Sequence, residues 1–147
     1  MSAENKSLAR RALDELWTKG NLAAVDQLYS DNCIFHDLAS PEDIRGREGL
    51  KQFAQAYRAA LPDLQCTVED AVAEGDKVAV RWVSRGTHRG DFMGIAPTGK
   101  QVTFRGVQMY RISKGRIEEE WAAFNTVGAL EEIGAIPRLG QTTQAAR

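Results

Sequence analysis

The chain contains only two histidines, His36 and His88, and each lies where a predicted strand meets a turn. An unperturbed imidazole has a pKa of about 6.5, so either side chain could act as a general base or acid near neutral pH. Counting alternate residues from Trp82 places Ser84, Gly86 and His88 on one strand face. We predict that the imidazole of His88 shares a pocket with Trp82 and that His36 is a second proton carrier. A purely structural, hydrogen-bonded role stays open for both.

The last predicted strand carries a candidate catalytic carboxylate. Strict alternation places Ile117, Glu119 and Trp121 on one face, and the apolar residues indicate that this face is inward. Desolvation beneath the indole would raise the pKa of Glu119 unless a cation such as Arg105 or Arg81 pairs with it. The sequence therefore predicts Glu119 as either a proton carrier or a buried ion-pair partner.

Other kinds of chemistry lack a motif. His36, Asp37 and His88 could supply metal ligands, but they do not have the close spacing typical of a metal site. Cys33 and Cys66 form no paired metal-binding motif, and we interpret them as small buried thiols. A nucleophile elbow, a phosphate loop and a dinucleotide fingerprint are also missing from the sequence. We predict neither a metal nor a cofactor.

Size and charge limit the class of protein. At 147 residues the chain is long enough for one domain with a real core, which we place at residues 1–140, followed by a disordered tail at residues 141–147. A formal net charge of −1 gives no general attraction to nucleic acid or to anionic lipid. The longest uncharged stretch, residues 121–130, is much shorter than the roughly 20 residues of a membrane span. We expect a cytoplasmic protein.

Apolar periodicity predicts helices in the first part of the chain. Spacings of three and four recur from Ser2 to Tyr29, with a break at Gly20 that divides the stretch into two helices. A short β-like run follows at Cys33 to His36. A third helix is predicted from Arg47 to Leu61, where Pro62 stops it.

The second part of the chain has strand composition. Glycine-containing turns separate the runs, which predicts an antiparallel meander and an α+β order with helices on one sheet face. Between the second and third runs, Gly86 to Lys100 predicts a long hairpin loop. Its apolar residues Phe92, Met93 and Ile95 indicate that the tip folds back over the protein. The four predicted strands are Leu64 to Ala73, Lys77 to Ser84, Val102 to Ile112 and Arg116 to Ala123.

The sequence of this loop resembles the central signature of the SnoaL-like polyketide cyclases. From Thr87 it reads T-H-x-G-x-F-x-G-I-x-P-T-G. These proteins are a branch of the nuclear transport factor 2-like superfamily. The Phe35-His36-Asp37 run and Gly115-Arg116-Ile117 also resemble the family. The resemblance implies an α+β cone, in which N-terminal helices pack on a strongly curved, mostly antiparallel sheet that encloses a pocket. It also implies a homodimer or a higher homo-oligomer.

One position departs from the family pattern. In SnoaL-like cyclases the strand-ending tryptophan is followed four residues later by an aspartate, which the family implies is the general acid/base of an aldol closure. Here Trp121 is followed by Asn125. An asparagine cannot be a general base, although it can donate a hydrogen bond to a carbonyl or enolate oxygen. We predict that role for Asn125.

These residues lead to one main hypothesis and two alternatives. The main one is a cofactor-independent enzyme of the polyketide cyclase type that acts on a small apolar carbonyl compound, with His88 or His36 moving the proton. The alternatives are a non-catalytic binder of small apolar or aromatic molecules, and a related isomerase, hydratase or hydroxylase in which Glu119 and an amide position water. The residues predicted to contact the ligand are Trp17, Phe35, Tyr57, Trp82, Met93, Phe104 and Trp121.

Overall fold

The structure is a computed structural model that describes residues 2–138. The predicted disordered tail at residues 141–147 lies outside the described residues. Within residues 2–138, no helix is both long enough and apolar enough to cross a membrane.

The N-terminal segment is helical and breaks where the sequence indicates. Gly20 has a φ of +67°, a left-handed conformation that glycine adopts without steric strain. The second helical stretch ends at Leu28, because Tyr29 already belongs to a strand. The helices are α1 (Ser2–Leu13), continued by a π-turn at Asp14–Thr18, then a 3₁₀ turn at Leu22–Ala24, α2 (Val25–Leu28), α3 (Gly46–Ala60) and α4 (Thr126–Glu132).

Six strands form one mixed, open sheet against which the helices pack. The strands are β1 (Tyr29–Asp37), β2 (Ile44–Arg45), β3 (Gln65–Glu74), β4 (Lys77–Thr87), β5 (Gln101–Ser113) and β6 (Arg116–Phe124). Their order across the sheet is β2-β1-β6-β5-β4-β3. β1 runs parallel to β6, whereas all other neighbours are antiparallel. The predicted meander and the α+β order are confirmed.

A β-bulge in β6 overturns the predicted alternation of the last strand. Ile112 of β5 pairs with Ile117, and the preceding Arg111 pairs with Glu119, so that Glu118 is left over between them. Because of this extra residue, each later residue of β6 lies on the opposite sheet face from the one that strict alternation predicts. Glu120 is therefore the inward carboxylate, at 1 % exposure, and the prediction that Glu119 faces inward with Ile117 is wrong.

The loop between β4 and β5 is held against the C-terminal end of α3. The backbone N–H groups of Arg89 and Gly90 donate to the Ala60 carbonyl oxygen at 3.0 and 3.1 Å. Phe92 packs into the core, which confirms that the apolar tip folds back over the protein. Met93 instead is 63 % exposed.

Gly90 packs so closely on α3 that a side chain has no room. A Cβ at this position would lie 2.2 Å from the Ala59 carbonyl oxygen. We predict that Gly90→Ala lowers the free energy of unfolding by about 2–3 kcal/mol, because the loop must move off the helix. Urea denaturation measures this change. Gly75→Ala is the control, since its φ is +60° but its Cβ would meet nothing within 4 Å; it should lose only about 1 kcal/mol. Equal losses would contradict the prediction.

Candidate active site

A cavity of about 40 Å³ lies between the helices and the inward face of the sheet. That volume holds about three water molecules and is smaller than the roughly 150 Å³ of a cavity known to hold benzene. Both edges of the meander and β1 contribute to its wall, so the sheet curves around it. The lining residues are Leu13, Trp17, Phe35, Phe53, Tyr57, Leu64, Cys66, Trp82, Ser84, Gln108, Ala122 and Phe124.

Aromatic residues make up half of the residues that line the cavity. Four of the predicted ligand contacts, Trp17, Phe35, Tyr57 and Trp82, line the cavity. The Trp17 and Tyr57 rings meet edge to face at 5.9 Å, an arrangement that aromatic quadrupoles favour. The predicted contact Phe104 lies outside the lining and packs against Tyr57, with ring centroids 6.1 Å apart.

Polar groups gather on the β4 and β5 side of the cavity. Ser84 and Gln108 line it and are 5 % and 3 % exposed. The indole N–H of Trp82 is buried and has no hydrogen-bond partner within residues 2–138. The ring of Trp82 fits here because its cross-strand neighbour is Gly106, where a Cβ would lie 2.7 Å from the indole.

Glu120 lies directly behind Gln108. Its carboxyl accepts a hydrogen bond from the Tyr29 hydroxyl at 2.6 Å and another from the side-chain amide of Gln108. Burial raises the pKa of Glu120 from 4.5 to about 7, because desolvation disfavours the charged form more than these hydrogen bonds favour it. Near neutral pH both forms of this carboxyl are therefore populated.

A second carboxyl, that of Asp37, lies at the end of β1. Alternation along β1 places it on the same face as Phe35, and its register partner in β6 is Ala122, which lines the cavity. Burial raises the pKa of Tyr57, and the charge of Asp37 raises it further. Asp37 is therefore close enough to the aromatic wall for the two groups to interact.

His88 follows β4 directly and is fully buried. Its Nδ1 lies 3.0 Å from the Thr98 hydroxyl oxygen and accepts the backbone N–H of Thr98 at 3.2 Å. Because a nitrogen that accepts an N–H carries no hydrogen of its own, the hydrogen of the neutral imidazole is assigned to Nε2. That Nε2 has no hydrogen-bond partner within the described chain. The imidazole packs against Phe92, with ring centroids 6.2 Å apart, and lies outside the cavity lining.

Comparison with known proteins decides the family. The family model of the SnoaL-like polyketide cyclases matches residues 7–133. The chain belongs to this family. Among curated protein sequences, no match is found.

Solved structures agree with the SnoaL-like assignment. The chain is similar to AclR, a proposed hydroxylase from Streptomyces galilaeus, with a TM-score of 0.84, 27% identity and coverage of 99% of this chain and 90% of AclR. It is also similar to IdmH, a proposed polyketide cyclase from Streptomyces antibioticus, with a TM-score of 0.72, 35% identity and coverage of 83% and 93%. A Catenulispora acidiphila protein with a ketosteroid isomerase-like fold has a TM-score of 0.72 at 19% identity, over 84% and 90% of the chains. The predicted nuclear transport factor 2-like cone is confirmed.

His36 of this SnoaL-like chain lies on the outer face of the sheet. Its ring nitrogens contact Asp43 at 2.8 Å and Glu119 at 2.6 Å, and its ring stacks on Trp121 at 5.3 Å. Burial alone would lower the pKa of His36, but the two carboxylates outweigh burial and raise it. His36, predicted as a second proton carrier, therefore lies away from the cavity, because Phe35 takes the inward position of β1.

Glu119 and Trp121 belong to the same outer cluster. Hydrogen bonds from His36 and then from Arg111 lower the pKa of Glu119, although burial acts in the opposite direction. The cation that pairs with Glu119 is thus Arg111, and not Arg105 or Arg81 as predicted. Neither Glu119 nor Trp121 is among the described residues that line the cavity. The isomerase, hydratase or hydroxylase hypothesis therefore loses the carboxylate that was to position water.

Asn125 continues the pairing between β5 and β6 beyond the last strand residue. Its Oδ1 accepts the backbone N–H of Arg105 at 2.6 Å, and its Nδ2 donates to the Thr103 carbonyl oxygen at 3.1 Å. An amide can make both bonds, whereas a carboxylate would turn an oxygen toward the Thr103 oxygen. The predicted role of polarising a substrate oxygen has no support in this geometry, because the strand pairing uses the amide.

Three residues near the cavity were missed by the sequence reasoning. Alternation from Phe35 would have indicated Asp37, and alternation from Phe104 along β5 would have indicated Gln108. Glu120 had no such signal, because the bulge reverses the apparent face. Met93, in contrast, was predicted as a ligand contact and is exposed.

Replacing Asn125 by the family's aspartate tests its structural role. We predict that Asn125→Asp lowers the free energy of unfolding by about 1–3 kcal/mol, because the Thr103 carbonyl loses its donor and faces an anion. Thermal or urea denaturation at pH 7 measures the change. Asn32→Asp, a change of the same chemistry at an exposed position of β1, should alter stability by less than about 0.5 kcal/mol. An undiminished stability of Asn125→Asp would contradict this role.

The raised pKa of Glu120 predicts a pH-dependent stability. Since the folded-state pKa of about 7 lies above the unfolded value of 4.5, the folded state holds the proton more tightly. The contribution of Glu120 to the free energy of unfolding is therefore largest below pH 4.5. It falls as the pH rises through 7, by about 3 kcal/mol in total.

Glu120→Gln should remove this loss, so the variant should gain stability relative to the wild type between pH 4.5 and pH 8. Urea denaturation at several pH values measures the difference. Glu118→Gln removes a carboxylate from the same strand and should leave the pH dependence intact. A stability difference between wild type and Glu120→Gln that stays constant with pH would contradict a raised pKa.

Proposed function

We propose that this chain is a cofactor-independent enzyme of the polyketide cyclase type, which carries out aldol or proton-transfer chemistry on a small apolar carbonyl compound. Membership of the SnoaL-like family supports this proposal. The observation that carries it is the composition of the cavity, where aromatic walls meet Ser84 and Gln108 on one side. Such a site suits a flat apolar molecule with one oxygen-bearing end.

The chemistry needs two groups. A base removes a proton from the carbon next to the carbonyl, and a hydrogen-bond donor stabilises the negative charge that develops on the enolate oxygen. The Ser84 hydroxyl and the free indole N–H of Trp82 are donors from residues that line the cavity. Aromatic walls exclude water, which strengthens each of these hydrogen bonds.

Asp37 is the better candidate for the base. Its carboxyl lies on the inward face of β1 beside Tyr57. His88 carries its hydrogen on Nε2 when Nδ1 accepts the Thr98 N–H, so the nitrogen not engaged by Thr98 is a donor rather than a base. We therefore infer that Asp37 takes the proton and that His88 chiefly fixes the loop.

Entry of a ring-sized molecule requires the wall to move, because the cavity is only about 40 Å³. Phe92 of the loop between β4 and β5 packs on Tyr57, with ring centroids 5.6 Å apart. We infer that this loop is the lid, since its displacement would free one side of the aromatic wall.

Proton abstraction can be measured without knowing the natural substrate. We predict that the protein speeds deuterium incorporation next to the carbonyl of cyclohexanone in D₂O, followed by NMR. Asp37→Asn should lower this rate at least about 100-fold, and His88→Gln less than about tenfold. Asp70→Asn, an exposed carboxylate on β3, should leave the rate unchanged. The reverse order, with His88→Gln the inactive variant, would make His88 the base.

A non-catalytic binder is the second candidate. It is favoured by two observations: Asn125 is occupied in strand pairing, and within residues 2–138 no imidazole or carboxylate lines the cavity. Quenching of Trp82 and Trp17 fluorescence by a small ketone, with no deuterium incorporation, would select this function.

The homodimer or higher oligomer stays a prediction. The outer face of the sheet exposes Val72, Val107 and Met109, apolar side chains that a second copy of the chain could cover. The ion pair between Arg81 of β4 and Glu69 of β3 supplies both signs of charge, as a self-complementary interface requires.

A further inference from the structure

Gln108 stands between the cavity and a fully buried carboxyl. Its side chain lines the cavity, and its amide nitrogen donates to Glu120. The C=O and C–NH₂ bonds of an amide diverge, so only one end of the group can face Glu120. Because Gln108 also lines the cavity, we infer that the other end is the one a ligand can reach.

The protonation state of Glu120 determines which end of the Gln108 amide faces the cavity. An ionised carboxylate only accepts hydrogen bonds, so Gln108 must turn its NH₂ group toward it and its carbonyl oxygen toward the cavity. A protonated carboxyl can donate its O–H instead. Gln108 can then rotate by half a turn, accept that O–H with its own carbonyl oxygen and present NH₂ to the cavity.

Tyr29 fixes which carboxyl oxygen holds the proton. As long as its hydroxyl donates to Oε1 of Glu120 at 2.6 Å, a proton on Glu120 lies on Oε2, the oxygen in contact with Gln108. The other titratable groups that interact with Glu120 are Tyr110 of β5 and Cys33 of β1. On the helix side, Arg47 of α3 donates to the Tyr29 carbonyl oxygen.

We propose that Gln108 is the polar ligand contact of the cavity and that Glu120 positions it, so that protonation of Glu120 converts the cavity from a hydrogen-bond acceptor into a donor. The ligand is a small apolar molecule with one oxygen. A carbonyl compound binds when Glu120 is protonated, and a phenol or enol hydroxyl binds when Glu120 is ionised. The inference rests on the cavity being the ligand site of the proposed function, but it does not require turnover.

The donor state is the one that serves catalysis. An NH₂ group aimed at the carbonyl oxygen of a substrate stabilises the enolate formed from it. The sequence led us to expect that role for Asn125, and the structure places Gln108 where it can be carried out. Burial holds the pKa of Glu120 at about 7, so both states of the pair are accessible near neutral pH.

Two one-oxygen ring compounds test the inference: cyclohexanone, which only accepts a hydrogen bond, and phenol, which donates one. Affinities are measured by NMR titration at pH 5.5 and pH 8.5, where both probes are uncharged. We expect cyclohexanone to bind about tenfold more tightly at pH 5.5, and phenol about tenfold more tightly at pH 8.5. If the affinities of both probes change with pH in the same direction, or if neither probe binds, the proposal is overturned.

Two variants show whether Gln108 and Glu120 cause the opposite pH dependence of the two affinities. Glu120→Gln and Gln108→Met should each abolish it. If Glu120→Gln fails to fold, Gln108→Met still tests the proposal. Glu118→Gln is the matched control and should keep the opposite pH dependence. Opposite slopes that persist in either pair variant would assign the effect to another group.

The same protein separates this inference from the proposed function. Opposite slopes without deuterium incorporation into cyclohexanone would support the Gln108 and Glu120 pair and remove the catalytic proposal. Deuterium incorporation, with both affinities changing in the same direction with pH, would support the catalytic proposal and remove the role of the Gln108 and Glu120 pair.

Discussion

One unpaired residue in β6 determines which side chains the last strand presents to the cavity. Glu118 has no register partner between Ile117 and Glu119, and every residue after it therefore changes face. The bulge creates two separate polar sites. Glu120 joins the inner network with Tyr29 and Gln108, and Glu119 joins the outer cluster around His36. Without the bulge the two carboxylates would exchange surroundings.

The inner site carries an energetic cost that the outer site does not. Glu120 is 1 % exposed, and ionising it there is disfavoured because the low-dielectric interior replaces water. Hydrogen bonds from Tyr29 and Gln108 offset part of that cost. In the outer cluster, ion pairs and solvent keep Glu119 ionised. The two carboxyls of β6 are thus shifted in opposite directions: burial raises the pKa of Glu120 to about 7, and hydrogen bonds from His36 and Arg111 lower the pKa of Glu119.

Periodicity predicted the architecture well, because helices and regular strands repeat at fixed spacings. The break at Gly20, the meander and the burial of Trp82 and Ser84 on β4 and of His88 directly after it all follow from such spacings. The site was predicted less well. Alternation cannot detect a bulge, so Glu119 and Trp121 were assigned to the wrong face. It also could not show that backbone groups of β5 engage Asn125, since these groups come from a distant part of the chain.

The departure from the family at Asn125 changes where catalysis has to be sought. An aspartate at this position could supply a base, whereas this asparagine uses its oxygen and one N–H to extend the pairing of β5. The inner face of the sheet still offers a carboxylate and an amide, but from other strands: Asp37 at the end of β1 and Gln108 in the middle of β5. In the function proposed above, the base and the oxygen-stabilising donor come from two different strands, and neither of them is the residue at position 125. Asn125 can therefore serve as a structural residue while Asp37, beside the cavity, and Gln108, in its lining, are the two kinds of group that enolate formation needs.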